Sequence, residues 1–282
     1  MLLRSKKLLI LYMVLLVVVL LTMAQLLLLR RQANTDGPRD FPEIRQEGVL
    51  RIAMEYSPTD YFIVGDSVLG FQYELCQAIS SLAGIEIQTR LETSLATCFD
   101  LLSDRQVDVI AQNIPVTTDN KEEFLFTDPI VLNQQVLIQR KADKGKEDGL
   151  IRNQLDLAGK TLYIPKDSPA KLRLRNLERE IGDTIYIVEE EIYSAEQLII
   201  MVAKGDIDYA VCDQHIAAYM EKQLPEIDDQ TKISFTQFQS WAVRKESVAL
   251  LDSLNHWLGQ VKESGLYDRI FKHYYKYGAH RF

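Results

Sequence analysis

Residues 98–113, "CFDLLSDRQVDVIAQN", have the pattern of a helix, a short turn and a buried strand that opens Val-Asp. Residues 197–213, "QLIIMVAKGDIDYAVCD", repeat this design with a strand that opens Ile-Asp. Helices that alternate with buried strands are typical of an α/β fold with a largely parallel sheet. The repeat therefore predicts two similar α/β lobes that face each other. The carboxyl ends of their strands would line a shared cleft, which is where open α/β sheets bind ligands.

The sequence around these two units completes each lobe. A strand is predicted at 48–56, and an amphipathic helix at 69–84 because its apolar residues recur every three to four positions. The apolar stripe of this helix is Phe71, Leu75, Ile79 and Leu82. The other predicted elements are strands at 85–92, 134–141, 184–190, 207–213 and 239–245, a strand-turn-helix unit at 159–180 and a helix at 194–205.

The composition narrows the classes of function. The chain has 282 residues and a formal net charge of −8. Binding nucleic-acid phosphates requires a concentrated basic surface, so the acidic balance argues against a nucleic-acid partner. The three cysteines, Cys76, Cys98 and Cys212, are widely spaced and form no metal-ligand pattern. We predict buried free thiols, with a single disulfide as the alternative, and we expect neither a cofactor nor a metal ion.

The N-terminal residues predict a membrane anchor. Residues 8–29 are almost entirely apolar and have basic residues on both sides. As a helix they would extend about 33 Å, which is enough to cross the hydrocarbon core of a bilayer. We therefore predict an uncleaved signal anchor at 1–31, with a cleaved signal peptide as the alternative. The Pro-, Gly- and Asp-containing residues 32–47 are predicted to be a linker.

Five stretches spread over residues 48–276 resemble the family 3 periplasmic solute-binding proteins. They are "LGFQYELCQAI", "LLSDRQVDVIAQNIPVTTDNKEEFLFTDP", "LAGKTLYIPKDSPAKLRL", "KGDIDYAVCD" and "LNHWLGQVKESGLYDRIFKHYY". The stretches "SPTDYF" and "GFQYEL" resemble most closely the substrate-binding-like domain of membrane-bound lytic transglycosylase F, in which a helical catalytic domain follows. The chain ends at Phe282, where that domain would begin, so we expect a binding domain without catalysis.

The resemblance implies an α/β, two-lobed periplasmic-binding-protein-like clamp, each lobe a mixed sheet flanked by helices, preceded by one N-terminal transmembrane helix. Lobe 1 would comprise residues 48–130 and 241–276, and lobe 2 residues 135–234. Hinges are expected near 130–134 and 235–240. Such a clamp closes because a ligand gains contacts with both lobes only in the closed state. The implied location is the inner membrane, single-pass, with the binding domain in the periplasm.

On lobe 1, the resemblance assigns the loop after the first strand to the walls of the ligand site. The matching residues are Glu55, Tyr56 and Tyr61. An aromatic ring in a cleft can lie against an apolar or cationic group of a ligand. Alternatively, the two tyrosines cover the core of the lobe. Asn113 and Thr117 stand at the end of the third strand, where the family presents polar groups to the ligand.

Three further positions bear on the charge of the ligand. The family's arginine, which grips a ligand carboxylate, is replaced by Asn120, whose amide offers weaker neutral donors. Ser168 begins the helix that helps to hold an anion, but Asp167 replaces the family's glycine and weakens such a site; Ser168 is alternatively only a helix cap. Asp213 matches the aspartate that pairs with a ligand ammonium, with capping of the next helix as the alternative.

These features predict a membrane-anchored extracytoplasmic solute-binding protein, not an enzyme. No glutamate stands out as the general acid of a glycosidase, and the neighbouring Cys212 and His215 fit a buried thiol and a helix-start histidine better than a nucleophile and its base. The expected ligand is a small amino-acid-like, peptide or muropeptide molecule, and the expected partner an ABC permease or a cell-wall enzyme. The alternatives are a regulatory part of a lytic transglycosylase F-like cell-wall system and a sensory or scaffold module with a degenerate site.

Overall fold

The computed structural model describes residues 39–141 and 149–277, together with Met13, Leu15, Leu16, Thr22, Met23 and Gln25. Among these residues, no helix is both long enough and apolar enough to cross a membrane. The predicted anchor at 1–31 lies almost entirely outside the described residues.

The first half of the described chain begins with α1 (Phe41–Glu47) and alternates strands and helices up to the first crossing between sheets. Its strands are β1 (Val49–Met54), β2 (Phe62–Val64), β3 (Ser67–Leu69), β4 (Glu86–Leu91), β5 (Val109–Pro115), β6 (Phe124–Phe126) and β7 (Val131–Asn133). Its other helices are α2 (Phe71–Ala83), α3 (Leu95–Ser103) and α4 (Thr118–Glu123).

The second half continues the alternation and closes with helices. Its strands are β8 (Gln135–Arg140), β9 (Thr161–Pro165), β10 (Tyr186–Glu190), β11 (Ala210–Asp213), β12 (Ile227–Lys232) and β13 (Gln237–Arg244). Its helices are α5 (Ala170–Ile181), α6 (Ala195–Lys204), α7 (Gln214–Glu221), α8 (Val248–Glu263) and α9 (Leu266–Phe271), followed by a π-helical turn at Lys272–Tyr277.

Two mixed sheets form the centres of two lobes. Sheet 1 has the order β4-β1-β5-β13-β6, and β7 also pairs with β13. Sheet 2 has the order β10-β9-β11-β8-β12. In each sheet three neighbouring strands are parallel, and the strands added next to them are antiparallel. The two-lobed α/β architecture with mixed sheets is therefore confirmed.

The two passages of the chain between the sheets lie side by side. β7 leads into β8 of sheet 2, and β13 returns to sheet 1. β7 and β13 pair in antiparallel fashion, with Leu132 opposite Phe238. A pair of adjacent strands of this kind can absorb a rotation of one lobe against the other.

The core of sheet 1 explains why α2 lies where it does. Phe71, Leu75 and Ile79 are at most 1% exposed and pack in one cluster with Trp241 of β13. Leu82, the fourth residue of the predicted stripe, is 49% exposed because it lies in the last turn of the helix, beyond the edge of the cluster. Three positions at helical spacing therefore hold α2 against the sheet.

The segment 32–47, predicted as a linker, contains α1. Asp40 and Glu43 form a capping box, a local signal that outweighs the neighbouring proline and glycine. The Asp40 carboxylate also accepts hydrogen bonds from the backbone N–H groups of Ala249 and Leu250 at the start of α8, at 3.0 and 2.7 Å. Ile44 is fully buried. This part of the segment therefore packs as an element of the lobe.

The cysteines are buried and free, as predicted. Cys76 lies on α2, Cys98 on α3 and Cys212 on β11. Burial raises the pKa of the Cys76 and Cys212 thiols well above the ordinary value, so these residues serve as small apolar side chains.

Candidate functional site

A cleft opens at the carboxyl ends of the strands of both sheets. Glu55 and Asn113, at the ends of β1 and β5, line it from sheet 1. Pro165 and Asp213, at the ends of β9 and β11, line it from sheet 2. The two repeated helix-strand units thus bring equivalent strand ends to opposite walls of one cavity, as the repeat predicts.

Glu55 is a carboxyl group without a hydrogen-bond partner among the described residues. It follows β1 directly and is accessible to the water of the cleft. The surrounding walls reduce its hydration, and the nearby carboxylates of Asp60, Glu196 and Asp213 repel its negative charge. Together these effects raise the pKa of Glu55 to about 8. Glu55 is therefore largely protonated at neutral pH when the cleft holds no ligand.

Asp60 lies beside Glu55 in a tight loop after β1. Its carboxylate accepts hydrogen bonds from the hydroxyls of Ser57 and Thr59, both at 3.3 Å, and from the hydroxyl of Tyr275 at 2.7 Å. Burial raises the pKa of Asp60, and these three donors act in the opposite direction by stabilising the charged form. The loop therefore holds a carboxylate in a fixed position at the cleft.

Gly70 allows this loop to lie where it does. Its φ is 137°, and a Cβ atom at this position would lie 2.2 Å from the carbonyl oxygen of Asp60. The backbone N–H of Phe71 then donates to the carbonyl oxygen of Thr59 at 2.8 Å. A side chain at position 70 would displace the loop, so this glycine is required by the close approach of the two backbones.

A chain of buried hydrogen bonds orients the wall of lobe 1. Trp241 Nε1 donates to Gln72 Oε1 at 2.7 Å, and Gln72 Nε2 donates to Asn113 Oδ1 at 2.8 Å. Asn113 Nδ2 donates to the hydroxyl oxygen of Tyr275 at 3.1 Å and to Asp60 at 3.3 Å. The chain directs the donor group of Asn113 towards Asp60, so the acceptor atoms of the carboxylate have a defined orientation before a ligand arrives.

Asp213 presents a carboxylate from lobe 2. It occupies the N-cap position of α7, but its side chain makes no capping bond to the described helix and instead accepts one from Gln135 Nε2. Loss of hydration raises its pKa to about 6; Gln135 opposes this shift, and the Asp60 carboxylate across the cleft adds to it. The amide side chains of Asn133 and Gln239 also lower the pKa of Asp213.

His215 links the two lobes beside the cleft. Its ring stacks on the ring of Tyr275 with centroids 4.2 Å apart and an angle of 20°. Its Nε2 atom lies 3.0 Å from the backbone carbonyl oxygen of Leu132 in β7. A carbonyl oxygen can only accept a hydrogen bond, so Nε2 carries the proton and donates it. Burial lowers the pKa of His215, which favours the neutral ring. The ring therefore contributes packing to this contact and adds no full charge to the cleft.

The turn after β9 brings a further carboxylate to the cleft. Asp167 has a φ of 58°, in the left-handed region where glycine is favoured, and its Oδ2 lies 3.5 Å from Ser94 Oγ of lobe 1. Ser168 Oγ accepts a hydrogen bond from the N–H of Ala170 at 3.3 Å and thus satisfies the helix start itself. Lys166 donates to Glu191 at 3.0 Å. Little remains at this turn to attract an anion.

The side chain of Asn120 forms hydrogen bonds with the backbone of neighbouring residues. Thr117 Oγ1 accepts from the N–H of Asn120 at 3.3 Å, and Asn120 Oδ1 accepts from the N–H of Thr117 at 2.9 Å, which together form a capping box for α4. Asn120 Nδ2 donates to the carbonyl oxygen of Pro115 at 2.9 Å. Both residues line an adjoining cavity that shares Leu95 and Asp167 with the main cleft.

Comparison with known proteins identifies the family of this chain. Residues 50–277 match the model of the bacterial extracellular solute-binding proteins, family 3. The chain belongs to this family.

The similar curated proteins include larger, membrane-bound members. Membrane-bound lytic murein transglycosylase F from Desulfosudis oleivorans is 29% identical over 233 residues, 83% of this chain and 50% of that protein. Its counterpart from Aeromonas hydrophila is 26% identical over 235 residues, 83% of this chain and 46% of that protein. This family 3 chain therefore spans about half the length of these relatives.

Solved structures share the fold. A mutant of ArgBP from T. maritima matches with a TM-score of 0.71 at 23% identity, covering 83% of this chain and 98% of that one. An ancestral arginine-binding protein bound to arginine matches with a TM-score of 0.70 at 22% identity, covering 81% and 98%. At these identities the likeness establishes the architecture of the clamp, and the ligand has to be argued from the residues of this chain.

The predicted site residues divide into three groups in this family 3 fold. Those that line the main cleft are Glu55, Asn113, Ser168 and Asp213, and those that line the adjoining cavity are Thr117 and Asn120. Neither of the two predicted tyrosines is among the residues that line the cleft: Tyr56 is 55% exposed, and Tyr61 packs edge-on against Tyr73 at 5.6 Å on the core side. The sequence analysis did not identify Asp60, Tyr275 or Gln135 as site residues.

The lining of the cleft is acidic. Its carboxyl groups are Glu55, Asp60, Asp167 and Asp213. Lys166 is the one Lys or Arg side chain among the described lining residues, and its ammonium pairs with Glu191. Among the described residues, no three His, Cys, Asp or Glu side chains are grouped so that they could hold a metal ion. The cleft thus offers many acceptors and few donors to a ligand.

Proposed function

We propose that this protein is a membrane-anchored extracytoplasmic solute-binding protein that holds a small amino-acid-like, peptide or muropeptide ligand between its lobes without catalysing its conversion. The observation that carries the proposal is the pairing of Glu55 and Asp60 on one wall with Asp213 on the other, at the strand ends of a family 3 clamp. A ligand ammonium placed between these walls would satisfy both. The proposed location is the periplasmic side of the inner membrane, reached through a single N-terminal helix.

The expected partner depends on whether the protein delivers its ligand to a transporter or responds to it within a cell-wall system. A solute-binding protein that delivers its ligand would dock on an ABC permease. A second candidate is a regulatory part of a lytic transglycosylase F-like cell-wall system, which is favoured by the names of the relatives that share 83% of this chain. A purified chain that cleaves murein by itself would contradict the non-catalytic role, and a complex with a cell-wall enzyme would favour the second candidate.

The proposal is tested by thermal unfolding of the full chain, in detergent, with amino acids, short peptides and soluble muropeptides. A ligand at a hundredfold excess over its Kd stabilises a fold by about 2.7 kcal/mol, a shift of a few degrees. We expect such a shift with at least one of these classes, and we expect Asp213→Ala to abolish it. If no class shifts the transition, the cleft does not bind these solutes and a scaffold role is favoured.

Restoring the family's arginine is expected to change the selectivity. In Asn120→Arg, a permanently charged guanidinium extends from the adjoining cavity towards the cleft and can pair with a ligand carboxylate. We expect the affinity for a free amino acid, relative to its amide, to rise about tenfold by calorimetry. The loss of the Asn120 side chain from the capping box costs about 1 kcal/mol of stability.

The matched control is Asn176→Arg, which adds the same charge to the same adjoining cavity from α5. We expect it to change the preference for the free amino acid much less, because its side chain enters from the other lobe. An equal change in both variants would show that general charge, and not the position of the arginine, determines the selectivity.

A further inference from the structure

The carboxyl groups of the cleft are divided between the lobes. Glu55 and Asp60 belong to the strand-end loops of sheet 1, and Asp213 belongs to the end of β11 in sheet 2. Closing the clamp without a ligand brings the carboxylates of Asp60 and Asp213 towards each other and leaves Glu55 protonated and without a partner among the described residues, which is unfavourable in a site with reduced hydration. A positive group between them would remove the repulsion and contact both lobes. The lobes therefore close most favourably around a cation.

The donors that could hold a ligand carboxylate are already engaged. Lys166 pairs with Glu191, and the Nε2–H of His215 points to a backbone carbonyl. The amide of Asn120 closes a capping box and donates to Pro115. A carboxylate on the ligand would thus meet acidic side chains without a compensating donor from these groups, and that costs binding free energy.

A buried amide adds unused acceptor capacity beside Asp213. Gln239 is 2% exposed, and its Oε1 accepts no hydrogen bond from the described residues. Its side chain lies close enough to Asp213 to stabilise the carboxylate. This acceptor atom is buried and Gln239 is outside the lining of the cleft, so the residue supports the Asp213 carboxylate and makes no direct contact with a ligand.

We propose that the cleft selects a small organic cation without a free carboxylate, such as an amine, a diamine or the amide of a basic amino acid, held between Glu55 and Asp60 of one lobe and Asp213 of the other. This inference rests on the proposed function, since it names the ligand class of the same cleft. It separates this chain from a binder of free amino acids, whose carboxylate requires a cation in the site.

Three related probes test the proposal. Cadaverine, L-lysinamide and L-lysine share one carbon chain and one terminal ammonium, and they differ in carrying no carboxyl group, a neutral amide or a carboxylate. Calorimetry with the full chain in detergent at neutral pH is expected to show cadaverine and lysinamide binding at least about tenfold tighter than lysine. Lysine binding as tightly as lysinamide would overturn the proposal.

Matched variants test whether the carboxyl groups of the cleft are the ones that bind the cation. Glu55→Gln keeps the size of the side chain, removes the charge and breaks no hydrogen bond among the described residues, so it is expected to fold and to weaken cadaverine binding at least about tenfold. The control is Glu86→Gln, which makes the same change on an exposed residue. Glu86 pairs with Val49 at the start of β1, at the opposite end of the sheet from Glu55. We expect this variant to bind cadaverine as tightly as the parent protein. Equal affinities in the two variants would overturn the assignment of Glu55. Asp213→Asn makes the same test on the opposite wall.

The outcomes separate this inference from the proposed function. If neutral peptides or free amino acids bind and cadaverine does not, the cleft binds solutes and the cation class is wrong. If none of the probes, amino acids, peptides or muropeptides binds, both proposals fail. Cadaverine binding that is lost in Glu55→Gln and kept in Glu86→Gln supports both.

Discussion

Asp108→Ala is expected to lower the free energy of unfolding by about 3–5 kcal/mol, because it removes the nearest carboxylate from a buried guanidinium. Asp108 and Arg244 pair at 3.1 Å with side chains that are 0% and 3% exposed. The other carboxylate oxygen of Asp108 accepts from the N–H of Arg51 at 3.0 Å. The substitution therefore removes both of these contacts and leaves the buried guanidinium with the more distant carboxylate of Glu246, which lies 3.9 Å from Arg244 Nε and is 43% exposed.

The ion pair also fixes the elements behind the cleft. Arg244 of β13 donates to the carbonyl oxygens of Leu102 and Val107, at the end of α3 and just before β5. The far end of β5 carries Asn113, which contacts Asp60. Weakening this anchor should therefore loosen the wall that orients the carboxylate as well as the lobe itself.

Urea denaturation of the full chain, followed by circular dichroism, measures the effect. Asp104→Asn is the matched control: Asp104 is an exposed C-cap residue of α3, and its neutralisation is expected to change the free energy of unfolding by about 0.5 kcal/mol or less. If Asp108→Ala cost about 1 kcal/mol or less, the guanidinium would have to gain water or another partner in the variant, and the pair would not anchor the lobe.

Much of the fold could be predicted because its signals are local. The helical spacing of Phe71, Leu75 and Ile79 reports directly which face of α2 is buried. The repeated helix-strand unit places Asn113 and Asp213 at equivalent strand ends, and parallel strands direct those ends to one cleft. The prediction omitted strands β2, β3 and β12: β2 and β3 have three residues each, too few to show an alternation, and β12 carries Ile227 as its one apolar residue.

The missing parts of the site depend on contacts between distant residues. Asp60 and Tyr275 are 215 positions apart, and no pattern in either neighbourhood reports their hydrogen bond. Tyr61, by contrast, lies next to Asp60 but turns to the core because Tyr73 offers it an aromatic partner. The use of Asn120 did have a local signal: Thr117 stands three positions before it, at the spacing of a capping box.

Cation affinity is expected to rise with pH by up to about tenfold per unit below a pH of about 8. The pKa of Glu55 is raised to about 8 in the ligand-free protein, so at neutral pH a cation must displace its proton before pairing with the carboxylate. The same shift has a consequence for stability. A raised pKa means that the native state binds the proton more tightly than the unfolded chain, so the stabilisation is lost as pH rises from about 4.5 towards 8.

The titratable groups that face Glu55 also affect the pH dependence of cation binding. Asp213 has its pKa raised to about 6, so below that pH a second proton competes with the cation and the pH dependence becomes steeper. Asp60 and Glu196 add negative charge, which favours protonation of Glu55. Tyr275 keeps its proton, because burial raises its pKa well above the ordinary value, and burial lowers the pKa of His215, which favours its neutral form. Between pH 6 and 8, Glu55 is therefore the main group that exchanges a proton for the ligand.

Calorimetry of cadaverine binding in two buffers with different ionisation enthalpies measures this exchange directly. We expect nearly one proton to be released per ligand at neutral pH, with the number falling towards zero above a pH of about 8.5, where Glu55 is already ionised. In Glu55→Gln the affinity should be lower and nearly independent of pH between about 6 and 8, since the exchangeable proton is gone. If the parent protein bound cadaverine equally well at both ends of that range, the cation would not pair with Glu55. The positive group would then have to lie against Asp60 and Asp213, and the pKa of about 6 leaves Asp213 ionised over most of that range.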